Sequence, residues 1–434
     1  MNILVTGQCS LHWGRMEFGN IGNYYIIEPF FRELKRTFPT ASVKTTLQMS
    51  KRFCIAEQIT VLPMELYFGW TETDLQIARR EASIANKYHQ TGHIEDTTPY
   101  LEALHWADMV IDFSGDIWGD NANLISPDRF EVGLLKDQTA QLMNKKTAML
   151  AGSPGPFGDE KLKNLAKRVY ASFDLVTNRE PLSTKLLHDE GFDCSRTRTT
   201  ACPAFIFNPA KKDKVEKIVK GLQNTNDDNQ APIVGFTICG WNFEEGPFDK
   251  WPRQDEDYQT FVESIEHLDA VLGAKVCLFS HSNGFDPPPS TFELKHGRDY
   301  PIIKTLQKIL RRRGIAKNVI TLDGIYSAWD TKAIIGSMDM LVSGRVHAAV
   351  AAISQHVPTV IIDYGHEPKA HKLRGFAMVA GVEDYLADPS SPNDIKTKIQ
   401  DCWRNVIEYR EFLEFHIPAV KKQAELNFEL LKRL

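Results

Sequence analysis

The sequence predicts an α/β protein of two Rossmann-like domains facing each other across a cleft, followed by a C-terminal helical tail. Three observations point there. Short β-rich runs alternate repeatedly with amphipathic helical stretches, which is the pattern of βαβ units and parallel sheets. At 434 residues the chain exceeds what one ordinary core fills, so two domains are expected. Near the middle the alternation is interrupted by Asn224-Thr225-Asn226-Asp227-Asp228-Asn229-Gln230, which reads as a solvated linker. The expected boundaries are 1–210 for the first domain, 231–393 for the second and 394–434 for the tail.

In the first half, residues 2–6 form an apolar strand that runs into a Gly-rich loop. A helix follows over 24–38, where Ile26, Ile27, Phe30, Phe31 and Leu34 recur at helical spacing. A polar helix is expected over 74–89, then strands over 109–113 and 148–151. The helix over 160–170, the strand over 175–178 and the helix over 181–190 complete this half, with Gly191 as its C-terminal stop. The second half restarts with a strand over 233–238, a helix over 258–272 and a strand over 276–279. A helix over 302–312, a strand over 319–322 and a helix over 331–338 lead into the strand of Met340-Leu341-Val342-Ser343. Another apolar run, 358–362, reads as the next parallel strand, and the tail is strongly helical.

Composition excludes several classes. The formal charge of −5 leaves no basic excess to displace counterions from a nucleic acid. Seven cysteines are scattered without a paired motif, as expected of reduced thiols in the cytoplasm. The start lacks a basic leader, and no apolar run reaches the roughly 20 residues that span a bilayer. Membrane contact is at most peripheral, with the basic run Lys308 to Arg313 as one contact and a solvated helix end as the plainer reading.

Four segments carry candidate chemistry. Phe18-Gly19-Asn20-Ile21-Gly22-Asn23 lies between the first strand and helix, where glycines admit close approach of a ligand and a helix start offers N–H groups. A helix-capping turn is the equal alternative. Asp112-Phe113-Ser114-Gly115-Asp116-Ile117-Trp118-Gly119-Asp120-Asn121 follows a strand; its spacing fits no metal loop, and orientation of sugar hydroxyls or neighbouring loops suits it better. Arg179 stands at a strand-to-helix junction before Pro181, where its fork of donors can clamp a phosphate or carboxylate or simply pair with a neighbouring acid. Finally, Ser343-Gly344-Arg345-Val346-His347 opens a helix with a guanidinium and an imidazole beside its positive end, and Lys369 arrives on the loop after the next strand. His281, His366 and His371 read as solvated loop residues.

Taken in order, these segments resemble the polysaccharide pyruvyl transferase family. The shared features are the Gly-Asn-x-Gly loop, the strand-end Ser-Gly-Asp, the Asn178-Arg179-Glu180 turn, the Arg345-x-His347-Ala348 element and the lysine beyond Tyr364. The resemblance implies a fold like that of GT-B glycosyltransferases. It also implies transfer of a pyruvyl group from phosphoenolpyruvate to a sugar hydroxyl as a ketal; no cofactor and no metal are expected. Departures are Asn23 where the family has an acid, Ser114-Gly115-Asp116 in place of a glycine triplet, Asn178 in place of serine, and a longer Tyr364-to-Lys369 spacing. A carboxamide does not titrate, so Asn23 cannot act as acid or base; Glu17 and Asp116 are the nearest replacements.

Phosphoenolpyruvate carries a phosphate and a carboxylate, which call for Arg179, Arg345 and Lys369, with Ser343 and Gly344 lining the donor site. His347 is the expected general acid and Asp116 the expected base. Asn20, Gly22, Asn23, Ser114, Gly115, Trp118 and Asn121 are expected at the acceptor or in its loops, together with Trp241. The acceptor is a carbohydrate that a lipid carrier could hold. The alternatives are a glycosyltransferase that takes a nucleotide sugar and a non-catalytic sugar-binding relative.

Overall fold

The computed structural model describes residues 1–9, 11–223, 231–239, 253–288, 290–315, 317–363, 370–391 and 393–434. The chain divides into two compact units that are discontinuous in sequence. Unit 1 holds Met1–Met16, Glu28–Pro203 and Lys422–Leu434; unit 2 holds Glu17–Ile27 and Ala204–Lys421.

Unit 1 is built on a parallel sheet of β1 (Asn2–Thr6), β2 (Ser42–Thr45), β3 (Ile59–Val61), β4 (Met109–Asp112), β5 (Lys146–Gly152), β6 (Leu175–Asn178) and β7 (Thr197–Thr199). Their order is β3-β2-β1-β4-β5-β6-β7, so connections run outward in both directions from the boundary between β1 and β4. In open α/β sheets that boundary is where ligands gather, beyond the C-terminal strand ends. There Thr6 lies in register with Asp112. The central strands β4 and β6 are buried along their whole length, as expected of strands covered by helices on both faces. Trp118, Phe130, Phe157, Tyr170 and Phe173 pack together in one core cluster of this unit.

Unit 2 repeats the plan. Its strands are β8 (Ile233–Thr237), β9 (Lys275–Leu278), the antiparallel pair β10 (Asn283–Phe285) and β11 (Leu294–His296), β12 (Val319–Thr321), β13 (Met340–Ser343), β14 (Thr359–Ile362) and β15 (Leu386–Ala387). Six of them form the parallel sheet β12-β9-β8-β13-β14-β15. The small residues of the helix Val346–Ile353, Ala348, Ala349, Ala351 and Ala352, are all buried, which lets the helix approach its neighbours closely.

The structure adds elements the pattern did not announce. β2, β3, β7 and β15 are two to four residues long, too short to show a period. The helix Arg129–Leu142 was hidden because its inward face carries Arg129, Lys136 and Asp137, all buried. The first helix begins at Ile21, three residues before the expected start, because the Asn20 side chain accepts the Gly22 N–H at 3.0 Å. No described helix is long and apolar enough to cross a membrane. In the basic run, Arg312 and Arg313 pair with Asp255 and Glu266 at 2.6 and 3.0 Å.

Candidate functional site

Two polar constellations emerge, one in each unit. In unit 2, β13 ends at Ser343 and the helix Val346–Ile353 starts with Arg345 as its N-cap. The Ser343 hydroxyl accepts the Arg345 N–H at 3.0 Å and donates to the Arg345 carbonyl at 2.9 Å. Gly344 N–H donates to Thr237 O at 2.9 Å. Ser343, expected to face the donor, is fully buried and spends its hydroxyl on closing the turn, while Gly344, expected there too, spends its N–H on the neighbouring strand β8. Their work is to aim the two residues that follow.

Arg345 is only 7% exposed and points its fork at the fully buried Asp299. Its Nε donates to Asp299 Oδ2 at 3.1 Å, and Nη2 donates to Oδ1. His347, half-buried, meets Phe376 edge-on at 5.9 Å and lies against the Gly-rich loop. A Cβ at Gly22 would stand 2.7 Å from both Cβ and Nδ1 of His347, so only glycine fits there without moving the imidazole. Asn20 pairs with Ser282 in an isolated antiparallel bridge, and Asn20 O accepts the Asn23 N–H at 2.9 Å. The loop of Asn20, Gly22 and Asn23 thus joins Arg345 and His347 within one unit.

His281 is buried rather than solvated. Burial, and next the Arg345 guanidinium, pushes its imidazole down to about 3, so it is neutral. Its ring stands edge-on to Tyr25 at 5.3 Å. His371 is likewise buried. Tyr364, His366, Lys369 and Trp241 lie outside the described residues.

In unit 1, Arg179 follows β6, with Glu180 as N-cap and Pro181 opening the next helix. Arg179 is 3% exposed; Nε donates to Ser153 Oγ at 2.8 Å, and Nη2 lies 3.5 Å from Asp116 Oδ1. Gly115 takes φ +64° and its carbonyl accepts Ser153 N–H at 3.0 Å, which ties the two loops under Arg179. Asn121 donates to Asp116 O at 3.2 Å and Gly155 O at 3.3 Å, a loop tie. Ser114 accepts Gln8 N–H and donates to Asp112, each at 2.8 Å, and is itself buried.

Trp118 corrects the sequence expectation. It is fully buried in the core, and its indole donates to Asp137 at 3.1 Å, so no face of it is available to an acceptor. Asp112 and Asp137 form a buried acidic pair. Burial raises both carboxyls, Asp112 to about 6 against two bonds from Ser114; the charge of Asp112 raises Asp137 further. Asp299 and Asp137 are the residues sequence reasoning missed. Both sit in segments without a motif, and nothing short of their partners' positions would have marked them.

The residues from Asn20 to His366 match the polysaccharide pyruvyl transferase family. Over 396 residues the chain is 22% identical to an amylovoran biosynthesis protein, AmsJ, of Erwinia amylovora, with 88% of each chain covered. Among solved structures it resembles Anabaena HepE in complex with UDP, at TM-score 0.56 and 13% identity over 100% of both chains. A UDP-GlcNAc 2-epimerase from Neisseria meningitidis, bound to UDP-GlcNAc, superposes at TM-score 0.55 and 13% identity, again over 100% of both. These likenesses establish a GT-B-like α/β fold, and the family match spans most of the sequence: the chain belongs to the polysaccharide pyruvyl transferases.

Proposed function

We propose that this protein transfers the pyruvyl group of phosphoenolpyruvate to a saccharide diol, in a polysaccharide or its precursor, forming a pyruvate ketal and releasing phosphate. Family membership supports a pyruvyl-transfer role on polysaccharide. The observation that carries the finer reading is the placement of Gly22 against His347, beside a buried and oriented Arg345.

In this reading a proton passes to the methylene carbon of the donor, making it a methyl group and leaving an electron-poor C2. One sugar hydroxyl adds to C2 and the second displaces phosphate. The two hydroxyl protons end on the methyl group and on phosphate, so atoms balance. His347 supplies the first proton and is recharged from the acceptor. Arg345 holds a donor anion, and Arg179 is assigned the same task. Asp116, which pairs with Arg179, is assigned the base. Asn23 cannot titrate, so the proton economy falls to these groups.

The test is phosphate release from phosphoenolpyruvate with galactose-, mannose- and glucose-terminated acceptors. Acceptor-dependent release that falls roughly a hundredfold or more in a folded His347→Ala variant is the expected result. No release with any acceptor, and no thermal shift with phosphoenolpyruvate, would overturn the donor assignment. A second reading, a glycosyltransferase using a nucleotide sugar, rests on fold likeness alone; stabilisation by nucleotide sugars but not by phosphoenolpyruvate would favour it.

A further inference from the structure

Arg345 and His347 were legible as a motif, but the group that decides where the guanidinium points is forty-six residues away in sequence. Asp299 precedes the helix Tyr300–Arg312 and is fully buried. A carboxylate withdrawn from water needs compensation from cations and N–H donors. Asp299 has several. Arg345 Nε donates to Oδ2 at 3.1 Å while Nη2 donates to Oδ1, a two-point fork that fixes the plane of the guanidinium. The His281 N–H donates to the same Oδ2 at 3.2 Å.

Asp299 is itself held in place. Its N–H donates to the Ser282 hydroxyl at 3.1 Å, and Ser282 forms the bridge to Asn20 of the Gly-rich loop. A Cβ at Gly297 would come within 2.4 Å of the Ser282 carbonyl group, so the approach that seats Asp299 requires glycine at 297. The neighbouring His281 imidazole is buried and neutral, so it brings no second charge to bear on the carboxylate. One chain of contacts therefore runs from the Gly-rich loop through Ser282 and Asp299 to Arg345.

We infer that Asp299 is a positioning residue for this site: its carboxylate sets the orientation of Arg345, two residues before His347, for a donor anion. The inference rests on the proposed reading of Arg345 as the donor's anion ligand. An aspartate suits the task and an asparagine does not. Asparagine keeps the shape but offers one acceptor oxygen, and its amide N–H group would meet an arginine N–H.

The test compares wild type with Asp299→Asn, Arg345→Lys and the double variant. Asp299→Asn is expected to raise KM for phosphoenolpyruvate about tenfold, with kcat and the acceptor KM changed far less. The double variant is expected to be no worse than Arg345→Lys, since the two side chains act as a unit. A residue needed only for folding would instead lower the melting temperature and active fraction, and its effect would add to that of Arg345→Lys.

A second arm does not need turnover. The rate at which phenylglyoxal modifies Arg345, followed by peptide mass spectrometry, is expected to rise severalfold in Asp299→Asn as the fork opens. An unchanged rate overturns the inference, whether or not the protein uses phosphoenolpyruvate. Absent activity in the wild type with a raised modification rate would sink the donor assignment and leave the positioning role standing. If Asp299→Asn does not fold, Ser282→Ala removes the hydroxyl that accepts the Asp299 N–H while keeping the carboxylate, and the same rise in Arg345 modification is expected; no rise overturns the inference.

Discussion

At the scale of single residues, the site depends as much on what is missing as on what is present. Gly22 has no side chain where any Cβ would press on the imidazole of His347. Gly22→Ala gains helix propensity, but the new Cβ would also meet the His347 Cβ at 2.7 Å, which no rotation of the side chain relieves. The loop and the helix that carries His347 must part by some tenths of an ångström, and misplacement of a reacting group is costly. Phosphate release from phosphoenolpyruvate by the folded variant is expected to fall roughly ten- to a hundredfold, with a lowered melting temperature. A variant with full activity would mean that His347 does not take part in proton transfer. The motif residues were readable because their types are chemically loaded. Their tasks were not. The Ser343 hydroxyl closes a turn, the Gly344 N–H bonds to the neighbouring strand and Trp118 fills a core, and these partners become visible only in the folded chain.

At the scale of elements, the last helix secures the first sheet through one side chain. Asn427, on the helix Val406–Leu431, is fully buried. Its Oδ1 accepts the hydroxyls of Thr177 and Thr200 at 2.6 and 2.8 Å; its amide donates to Ala201 O and Ala424 O at 3.0 and 2.9 Å. Thr177 Oγ1 also accepts the Ala151 N–H at 2.8 Å, which joins β6 to β5 just before Ser153 and Arg179. Every polar atom of Asn427 is thus satisfied. Asn427→Leu keeps the volume but strands the Thr177 hydroxyl and the Ala201 carbonyl, while the Thr200 hydroxyl keeps Asn178 O at 3.2 Å, a loss of about 2–3 kcal/mol of stability in unit 1 by denaturant unfolding. An unchanged midpoint would show that water replaces the amide. The helical character of this tail was plain from its pattern, whereas the partner of a single buried asparagine was not.

At the scale of the whole molecule, the buried titratable groups give the two units opposite responses to pH. In unit 1 the folded state raises the carboxyls of Asp112, to about 6, and Asp137 above their ordinary 3.8. The native state then holds more protons than the unfolded chain, so stability is highest in acid and declines as pH rises through the folded values. In unit 2, His281 lies at about 3 against an ordinary 6.5. There the unfolded chain holds the extra proton, so its contribution is full above 6.5 and is lost as pH falls towards 3. Each group contributes at most about 1.4 kcal/mol per pH unit. Calorimetry at pH 5 and pH 8 should move the two transitions in opposite directions. Asp137→Asn should lessen the alkaline weakening of the first and leave the part due to the burial of Asp112, and a pH-independent first transition would contradict the shared burial of these acids.

The alternation of apolar runs and helical stretches was enough to announce an α/β protein, because that period is written locally in every strand and helix. Arg345, His347 and the Gly-Asn-x-Gly loop were also visible, since glycines, a guanidinium and an imidazole at helix starts have few other uses together. Strand order, the short edge strands and the buried helix Arg129–Leu142 could not be read from those local periods. Nor could the partnership of Asp299 with Arg345, or of Asp112 with Asp137. An ion pair across forty-six residues leaves no periodic trace. Whether a polar side chain meets water, a ligand or another part of the chain is settled by packing, and packing exists only once the chain has folded.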